Sequence, residues 1–182
     1  MKNILLIPIL LILISCEHEY ITESEIIANS QRETIRSYFT DSFPGYQVDT
    51  TNNGSFYITF EGGVGPGTPV FGSIIKWRYR ITHLDDKLIS KIDSITEDEI
   101  APVSSTKYTP NRGFNEVIMN FKRGGKGLML LPSRNAYGPS KTVYRDHYQT
   151  DYEISESDTM DTIPANSIIK IKFELISYES PK

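Results

Sequence analysis

The chain has 182 residues, of which 38% are hydrophobic and 23% are charged, and its formal net charge at neutral pH is −4. A chain of this length can bury a sizeable core, and one domain is the first expectation. The acidic balance argues against a nucleic-acid-binding protein, because such proteins carry a basic surface.

The N-terminal residues differ from the rest of the chain. Lys2 is followed by an apolar run and then by Ser15 and Cys16, a layout that is typical of a signal peptide and too short for a membrane-spanning helix. The stretch LISC at 13–16 resembles a bacterial lipobox, in which the cysteine is lipidated and becomes the first residue of the mature protein. Cys16 is the only cysteine, and lipidation accounts for a lone thiol in an exported protein.

Residues 1–16 are therefore expected to be a lipoprotein signal peptide. Acyl chains on Cys16 would hold the protein on a membrane in the cell envelope of a Gram-negative-type bacterium, facing the periplasm or the cell surface. An uncleaved apolar anchor is the alternative interpretation of the same residues.

Residues 17–45 are predicted to be a polar tether followed by one helix. Thr22 or Ser24 is suited to cap that helix, and Pro44-Gly45 ends it. Apolar residues recur at helical spacing with a gap around Ser30 and Gln31. They are Ile26, Ile27, Ile35, Tyr38 and Phe39.

Residues 46–182 are predicted to form the main domain, which begins with strands. Alternating apolar residues predict a first strand around Phe56 to Phe60 and a second around Ile75 to Ile81. The Gly/Pro-rich stretch between them is not followed by a lysine or a helix, so a phosphate-binding loop is not expected. A turn at 85–87 and a third, shorter strand at 88–95 complete this half.

In the second half of the main domain, the sequence predicts one short helix between strands. The helix is expected within 116–123, ending at Gly124-Gly125, before a buried strand at 127–131. In the last strand, 167–177, apolar residues alternate with Lys170, Lys172 and Glu174, which predicts one buried and one solvated face. The pattern predicts an α+β fold, with an antiparallel sheet curling over the helix. The stretch from Gly138 to Ile163, with little apolar content, is predicted to be a functional or disordered loop.

Three segments resemble the FKBP-type peptidyl-prolyl isomerases. The segment NRGFNEVIMNFKRGGKGLMLLPSRNAYG at 111–138 is similar to one stretch of that family's sequence. That stretch contains an arginine-glycine pair, a short helix, an apolar strand and then alanine-tyrosine-glycine. IPANSIIKIKFELI at 163–176 is similar to its closing strand, and GVGPGTPVFGSIIKWRY at 63–79 to its opening. The resemblance covers about 56–177 and implies a twisted antiparallel sheet wrapped around one short helix.

The reaction of this family requires few specific side chains. Prolyl isomerisation breaks no covalent bond, and its barrier is amide resonance. The reaction requires an apolar pocket, which weakens the resonance. It also requires one or two hydrogen-bond donors to the carbonyl, and nothing more. No metal, cofactor or acid–base pair is expected.

The resemblance also assigns roles to individual residues. It places Phe114 at the pocket floor, where the family usually has tryptophan, Tyr79 on the wall, and the Tyr137 hydroxyl and the Asn111 backbone N–H as the two donors. Ile163 and Ile171 would contact the substrate.

The hairpin after Tyr79 departs from the family pattern. Direct counting puts Ile89-Ser90 where the family has phenylalanine-aspartate, whereas a three-residue insertion puts Ile92-Asp93-Ser94 there. Ile89 and Asp93 are thus alternative candidates for that wall.

Two functions follow from these residues. The first is a membrane-anchored isomerase and folding helper for exported, proline-containing proteins. The second is a non-catalytic FKBP-like lipoprotein that binds peptides or proteins. A monomer is expected in both cases.

Overall fold

The protein is built around an antiparallel sheet of six strands. The structure, a computed structural model, describes residues 22–100, 111–140, 142–143 and 162–181. Its elements are α1 (Glu23–Ser42), β1 (Asp49–Thr50), β2 (Phe56–Glu61), β3 (Ile74–His83), β4 (Leu88–Glu99), α2 (Asn111–Ile118), β5 (Lys126–Leu131), a 3₁₀ turn (Ser133–Asn135), β6 (Thr142–Val143), β7 (Thr162–Ile163) and β8 (Ile169–Glu179).

The last strand of the chain lies inside the sheet. The strand order is β1-β2-β5-β8-β3-β4, and β8 pairs with β5 on one side and β3 on the other. β6 and β7 form a separate two-residue ladder, which joins the two ends of the predicted loop. Residues 141 and 144–161 of that loop lie outside the described residues. Two helices with an antiparallel sheet confirm the predicted α+β class.

One face of the sheet packs against α2 and holds the larger core. Its fully or nearly buried side chains come from β3, α2, the turn after α2, β5 and β8. They include Ile75, Trp77, Ile81, Phe114, Val117, Ile118, Phe121, Met129, Ile171, Phe173 and Leu175. The odd-numbered residues from Ile75 to Ile81 in β3 and from Ile169 to Leu175 in β8 point to this face, as the alternation predicted.

The second face of the sheet is partly covered by α1. Thr22 caps this helix, and a reciprocal hydrogen-bond pair between Thr22 and Glu25 forms a capping box. Ile35 and Phe39 are fully buried against apolar side chains of β2 and β5. Among the described residues, no helix has the length and apolar content to cross a membrane.

Gln31 explains the gap in the apolar pattern of α1. It lies one helical turn before Ile35 on the packed side, and only 9% of its surface is exposed. Its amide nitrogen donates to the carbonyl of Asn166 (2.6 Å), and its amide oxygen accepts from the backbone N–H (2.9 Å) and hydroxyl (3.1 Å) of Ser133. Buried polar groups require such partners, so Gln31 joins α1 to two separate segments of the main domain.

Lys170 corrects the prediction that the polar face of the last strand is solvated. Its side chain is buried. The ammonium donates to Asp86 Oδ1 (2.7 Å), to the Tyr38 hydroxyl (3.0 Å) and to the carbonyl of Leu84 (3.2 Å). Burial alone lowers the pKa of Lys170, but the hydrogen bonds to Asp86 and Tyr38 outweigh burial and raise it. The ammonium therefore stays charged beneath α1.

Two element boundaries also differ from the prediction. β4 is longer than expected, because it pairs with β3 as far as Glu99. It is an edge strand, where charged residues are common despite their low strand propensity. α2 starts at Asn111 and ends at Ile118, before the predicted glycine cap; Phe121 turns into the core, and Gly124 (φ +76°) belongs to the turn into β5.

Candidate functional site

Three aromatic rings from β3 and α2 are packed at the centre of the α2 face. Trp77 and Tyr79 lie on the same side of β3, with ring centroids 4.1 Å apart and planes inclined by 30°. The Trp77 and Phe114 centroids are 4.4 Å apart, with planes at 38°. Trp77 is thus in contact with both other rings and is only 1% exposed, which makes it the middle of an aromatic stack.

Gly113 sets how closely α2 approaches the neighbouring turn. A Cβ atom at this position would lie 2.6 Å from Ser55 Oγ and 2.8 Å from the carbonyl oxygen of Asn135. Asn135 is itself held by hydrogen bonds from its amide nitrogen to the Asn53 carbonyl (2.8 Å) and Ser55 Oγ (3.0 Å). Because of this close approach, Phe114, which follows Gly113, packs into the same core as the turn that carries Tyr137.

Tyr137 lies in the turn after the 3₁₀ segment. The turn is closed by hydrogen bonds to the Ser133 carbonyl from the backbone N–H groups of Ala136 (3.0 Å) and Gly138 (2.7 Å). The Tyr137 ring is half-buried against the core, and its hydroxyl oxygen is buried. The Asn166 N–H donates to the Gly138 carbonyl (3.2 Å), so the segment that follows Ile163 is bound directly to the Tyr137 turn.

The structure brings six of the predicted site residues into one apolar cluster on the α2 face. Ile163 and Ile171 are fully buried, and Ile89 is 8% exposed. The complete set is Tyr79, Ile89, Phe114, Tyr137, Ile163 and Ile171. These residues come from segments up to 92 positions apart in the chain, from Tyr79 to Ile171.

The two remaining candidates are placed by their backbone alone. Asn111 is the first residue of α2. Asp93 lies in β4, where Ile92 pairs with Tyr79 and the register shifts before Thr96 pairs with Trp77. Asp93 is therefore in a β-bulge directly after the residue opposite Tyr79.

Trp77 is the site residue that sequence reasoning missed as a functional candidate. It was expected only to point to the buried side of its strand. The available signal was that the single tryptophan of the chain stands two residues before Tyr79, while position 114 has phenylalanine where the resemblance implies tryptophan. The indole at this site comes from β3 instead of α2.

As far as the described side chains show, the cluster is apolar and aromatic and contains no charged pair. Such low-dielectric surroundings suit the binding of a proline ring and its amide better than they suit acid–base catalysis. Within the described ranges, no group of three or more His, Cys, Asp or Glu side chains is arranged to hold a metal ion.

Comparison with solved structures identifies the fold. A peptidyl-prolyl cis-trans isomerase from Pseudomonas syringae pv. tomato matches 84% of this chain over 96% of its own length, with a TM-score of 0.57 and 16% identity. FkpA from Escherichia coli matches 86% of this chain over 64% of its own length, with a TM-score of 0.57 and 20% identity. The N-terminal domain of FKBP42 from Arabidopsis thaliana matches 73% of this chain over 92% of its own, with a TM-score of 0.56 and 12% identity.

No protein-family model and no curated protein matches the sequence. At the low identities of the structural matches, the likeness shows the fold alone. The chain has an FKBP-like α+β fold, as the sequence predicted.

Proposed function

We propose that this protein is an FKBP-type peptidyl-prolyl cis-trans isomerase that assists the folding of exported proteins. The observation that supports the proposal is the aromatic cluster, in which Trp77 packs against Phe114 and Tyr79 and shares one core with Tyr137. No metal or cofactor enters the proposed reaction, since isomerisation needs only a rotation about the amide bond.

In this proposal, the aromatic stack forms the base of a proline-binding pocket, and Ile163 and Ile171 form its walls. The amide barrier of about 18–20 kcal/mol arises from resonance, which places partial charge on the carbonyl oxygen. An apolar surround disfavours that charge separation and so favours the twisted amide, in which resonance is lost. The Tyr137 hydroxyl and the Asn111 N–H would hold the carbonyl while the bond rotates.

Magnetisation-exchange NMR on a short peptide with one Xaa-Pro bond tests the proposal. Uncatalysed exchange takes tens to hundreds of seconds, and the full chain in neutral detergent is expected to accelerate it. Loss of one hydrogen bond in Tyr137→Phe should reduce the acceleration about threefold to tenfold. Tyr46→Phe makes the same chemical change at a residue that is 47% exposed and outside the cluster, and should leave the rate unchanged. No acceleration by the wild-type chain would refute the isomerase.

A second candidate function is a non-catalytic module that binds proline-containing segments. Full burial of Phe114, Ile163 and Ile171 favours it, because a filled core leaves less room for a rotating amide. In the NMR experiment, this function predicts peptide line broadening or shifts without faster exchange.

The location is a separate proposal, since residues 1–21 lie outside the described residues. Lipidated Cys16 would hold the protein, as a monomer, on a membrane of the cell envelope. Cys16→Ala is then expected to move the protein from the membrane fraction to the soluble fraction of expressing cells, because each buried acyl CH₂ group contributes about 0.8 kcal/mol of membrane binding. Membrane association that persists in Cys16→Ala would contradict the lipid anchor.

A further inference from the structure

Four residues around the Tyr137 turn are joined by a closed set of hydrogen bonds. Gln31 Nε2 donates to the carbonyl of Asn166 (2.6 Å), and the Asn166 N–H donates to the carbonyl of Gly138 (3.2 Å). The Gly138 N–H donates to the carbonyl of Ser133 (2.7 Å), and the Ser133 N–H donates to Gln31 Oε1 (2.9 Å). Each residue thus donates to one member of the set and accepts from another. We call these four residues the Gln31 network.

The Gln31 network joins the two chain segments that carry Tyr137 and Ile163. Tyr137 lies four positions after Ser133, and Ile163 lies three positions before Asn166. Both side chains pack into the core on the α2 face. The direct hydrogen bond between the two segments is the longest of the four in the network. Gln31 joins the same segments a second time, from outside the main domain.

The amide of Gln31 is suited to this bridge because one end of the side chain offers both a donor and an acceptor. The amide oxygen has two lone pairs, and it accepts from both the N–H (2.9 Å) and the hydroxyl (3.1 Å) of Ser133. Ile35 and Phe39, on the same side of α1, are fully buried apolar residues. An apolar residue at position 31 would gain more from burial than a glutamine does. The hydrogen bonds are therefore what Gln31 contributes and an apolar residue cannot.

Asn166 depends on its hydrogen-bond partners because its backbone conformation is unfavourable. Its φ is +57°, in the left-handed region, which asparagine enters more readily than most residues but still at a cost in free energy. Such conformations persist where the surrounding structure holds them. Gln31 binds the Asn166 carbonyl, and Gly138 binds the Asn166 N–H. Loss of the Gln31 amide would remove one of these two partners from the turn after Ile163.

Gln31 also lies between the network and solvent. A cavity of 490 Å³ runs along the first turns of α1, and its lining includes Gln31, Ser133, Pro139 and Asn166. Gln31 and Ser133 are themselves buried. A side chain at position 31 without the amide would leave backbone groups of Ser133 and Asn166 to water in this cavity. Water satisfies such groups, but it does not hold two segments at a fixed distance.

We propose that Gln31 is a positioning residue of the isomerase site, which holds the Tyr137 hydroxyl in place relative to Ile163 by acting through Ser133 and Asn166. In this role α1, which precedes the main domain, completes the site. The inference rests on the isomerase function proposed above.

A double-mutant cycle of isomerisation rates tests the positioning role. Gln31→Met keeps a side chain of similar size but removes the three hydrogen bonds of the amide. It should lower the acceleration of Xaa-Pro exchange by the full chain about threefold to tenfold. In a Tyr137→Phe background, the same substitution should change the rate less than about twofold, because the hydroxyl that Gln31 positions is already gone. All rates are measured well below the unfolding midpoint of each variant, so that the folded fraction stays constant.

Tyr38→Phe is the matched control, because it also removes a hydrogen bond between α1 and the main domain. The Tyr38 hydroxyl accepts from Lys170 (3.0 Å), on the sheet face away from the proposed site. This variant should keep a rate within about twofold of wild type, with an effect that adds to that of Tyr137→Phe. Gln31→Glu is a second test variant, since at neutral pH it loses the donor to Asn166. It should be as non-additive with Tyr137→Phe as Gln31→Met is.

Amide hydrogen exchange followed by NMR gives a readout that requires no enzyme activity. In Gln31→Met, the N–H groups of Ser133, Gly138 and Asn166 should exchange at least about tenfold faster than in wild type. The N–H groups of the β5–β8 ladder should change far less, because the opening is local and not a general loss of stability. In Tyr38→Phe, the exchange of Ser133, Gly138 and Asn166 should match wild type.

Two results would overturn the positioning role. One is an active wild type in which the effects of Gln31→Met and Tyr137→Phe on the rate are additive. The other is unchanged hydrogen exchange at Ser133, Gly138 and Asn166 in Gln31→Met. A wild type that does not accelerate Xaa-Pro exchange would instead refute the isomerase, and the catalytic role of Gln31 with it. The hydrogen-exchange comparison would then still decide whether Gln31 holds the Tyr137 turn.

Discussion

Replacing Trp77 with alanine is expected to lower the free energy of unfolding by about 3–5 kcal/mol. Trp77 is 1% exposed and is packed between Tyr79 and Phe114. The substitution removes the indole from water-free surroundings, leaves a cavity and breaks two aromatic contacts, each of which contributes about 0.5–1.5 kcal/mol beyond burial. Urea denaturation followed by far-UV circular dichroism measures the change.

Phe71→Ala is the control for Trp77→Ala, because Phe71 is an aromatic side chain that is 47% exposed. Its loss should cost well under half as much. A Trp77→Ala variant that is no less stable than Phe71→Ala would contradict the position of Trp77 at the centre of the core.

Gly113→Ala is expected to destabilise the protein by about 1–3 kcal/mol or more, as overpacking does. Helix propensity alone predicts the opposite sign, a gain of about 0.5–1 kcal/mol for alanine inside a helix. The added Cβ would meet Ser55 Oγ at 2.6 Å and the backbone oxygen of Asn135 at 2.8 Å. Neither the Asn135 backbone nor the hydrogen-bonded Ser55 moves without disturbing the turn before Tyr137, so the helix that carries Phe114 must shift.

Gly62→Ala is the matched control for Gly113→Ala, because nothing lies within 4 Å of a Cβ at Gly62 and its φ is not positive. Its unfolding midpoint in urea should stay close to that of wild type. If Gly113→Ala stabilises the protein, propensity outweighs crowding, and the close approach of α2 to the Asn135 turn is not as tight as described.

Most strands were predictable from the sequence, because each has one side in a core. Ile75, Trp77 and Ile81 alternate with charged residues, and that period of two identifies β3 without any long-range information. The resemblance of three separate segments to one family predicted the FKBP-like fold, although the overall identity to the solved structures is low.

Buried polar side chains were not predictable in the same way. Gln31 and Lys170 look like solvent-exposed residues in any local pattern, yet both are buried. Their partners Ser133, Asn166 and Asp86 are far away in the chain. Sequence periodicity carries no information about such pairs, which depend on how α1 lies across the sheet.

The contact between Trp77 and Phe114 was missed for the same reason. The two residues are 37 positions apart in the chain, and a one-residue change in the packing of α2 would place a different side chain on the indole. The division between residues 45 and 46, the lipid anchor at Cys16 and the roles of the site residues remain predictions.

The fluorescence of Trp77 tests most directly whether the aromatic cluster is a site for proline-containing segments. Trp77 is the only tryptophan in the chain, so its emission reports on this cluster alone. Titration of the full chain with a proline-containing peptide is expected to change the intensity or wavelength of that emission in a saturable way. The same peptide with alanine in place of proline should produce no saturable change. Emission that is unchanged by the proline peptide, or changed equally by both peptides, would contradict the assignment of the site.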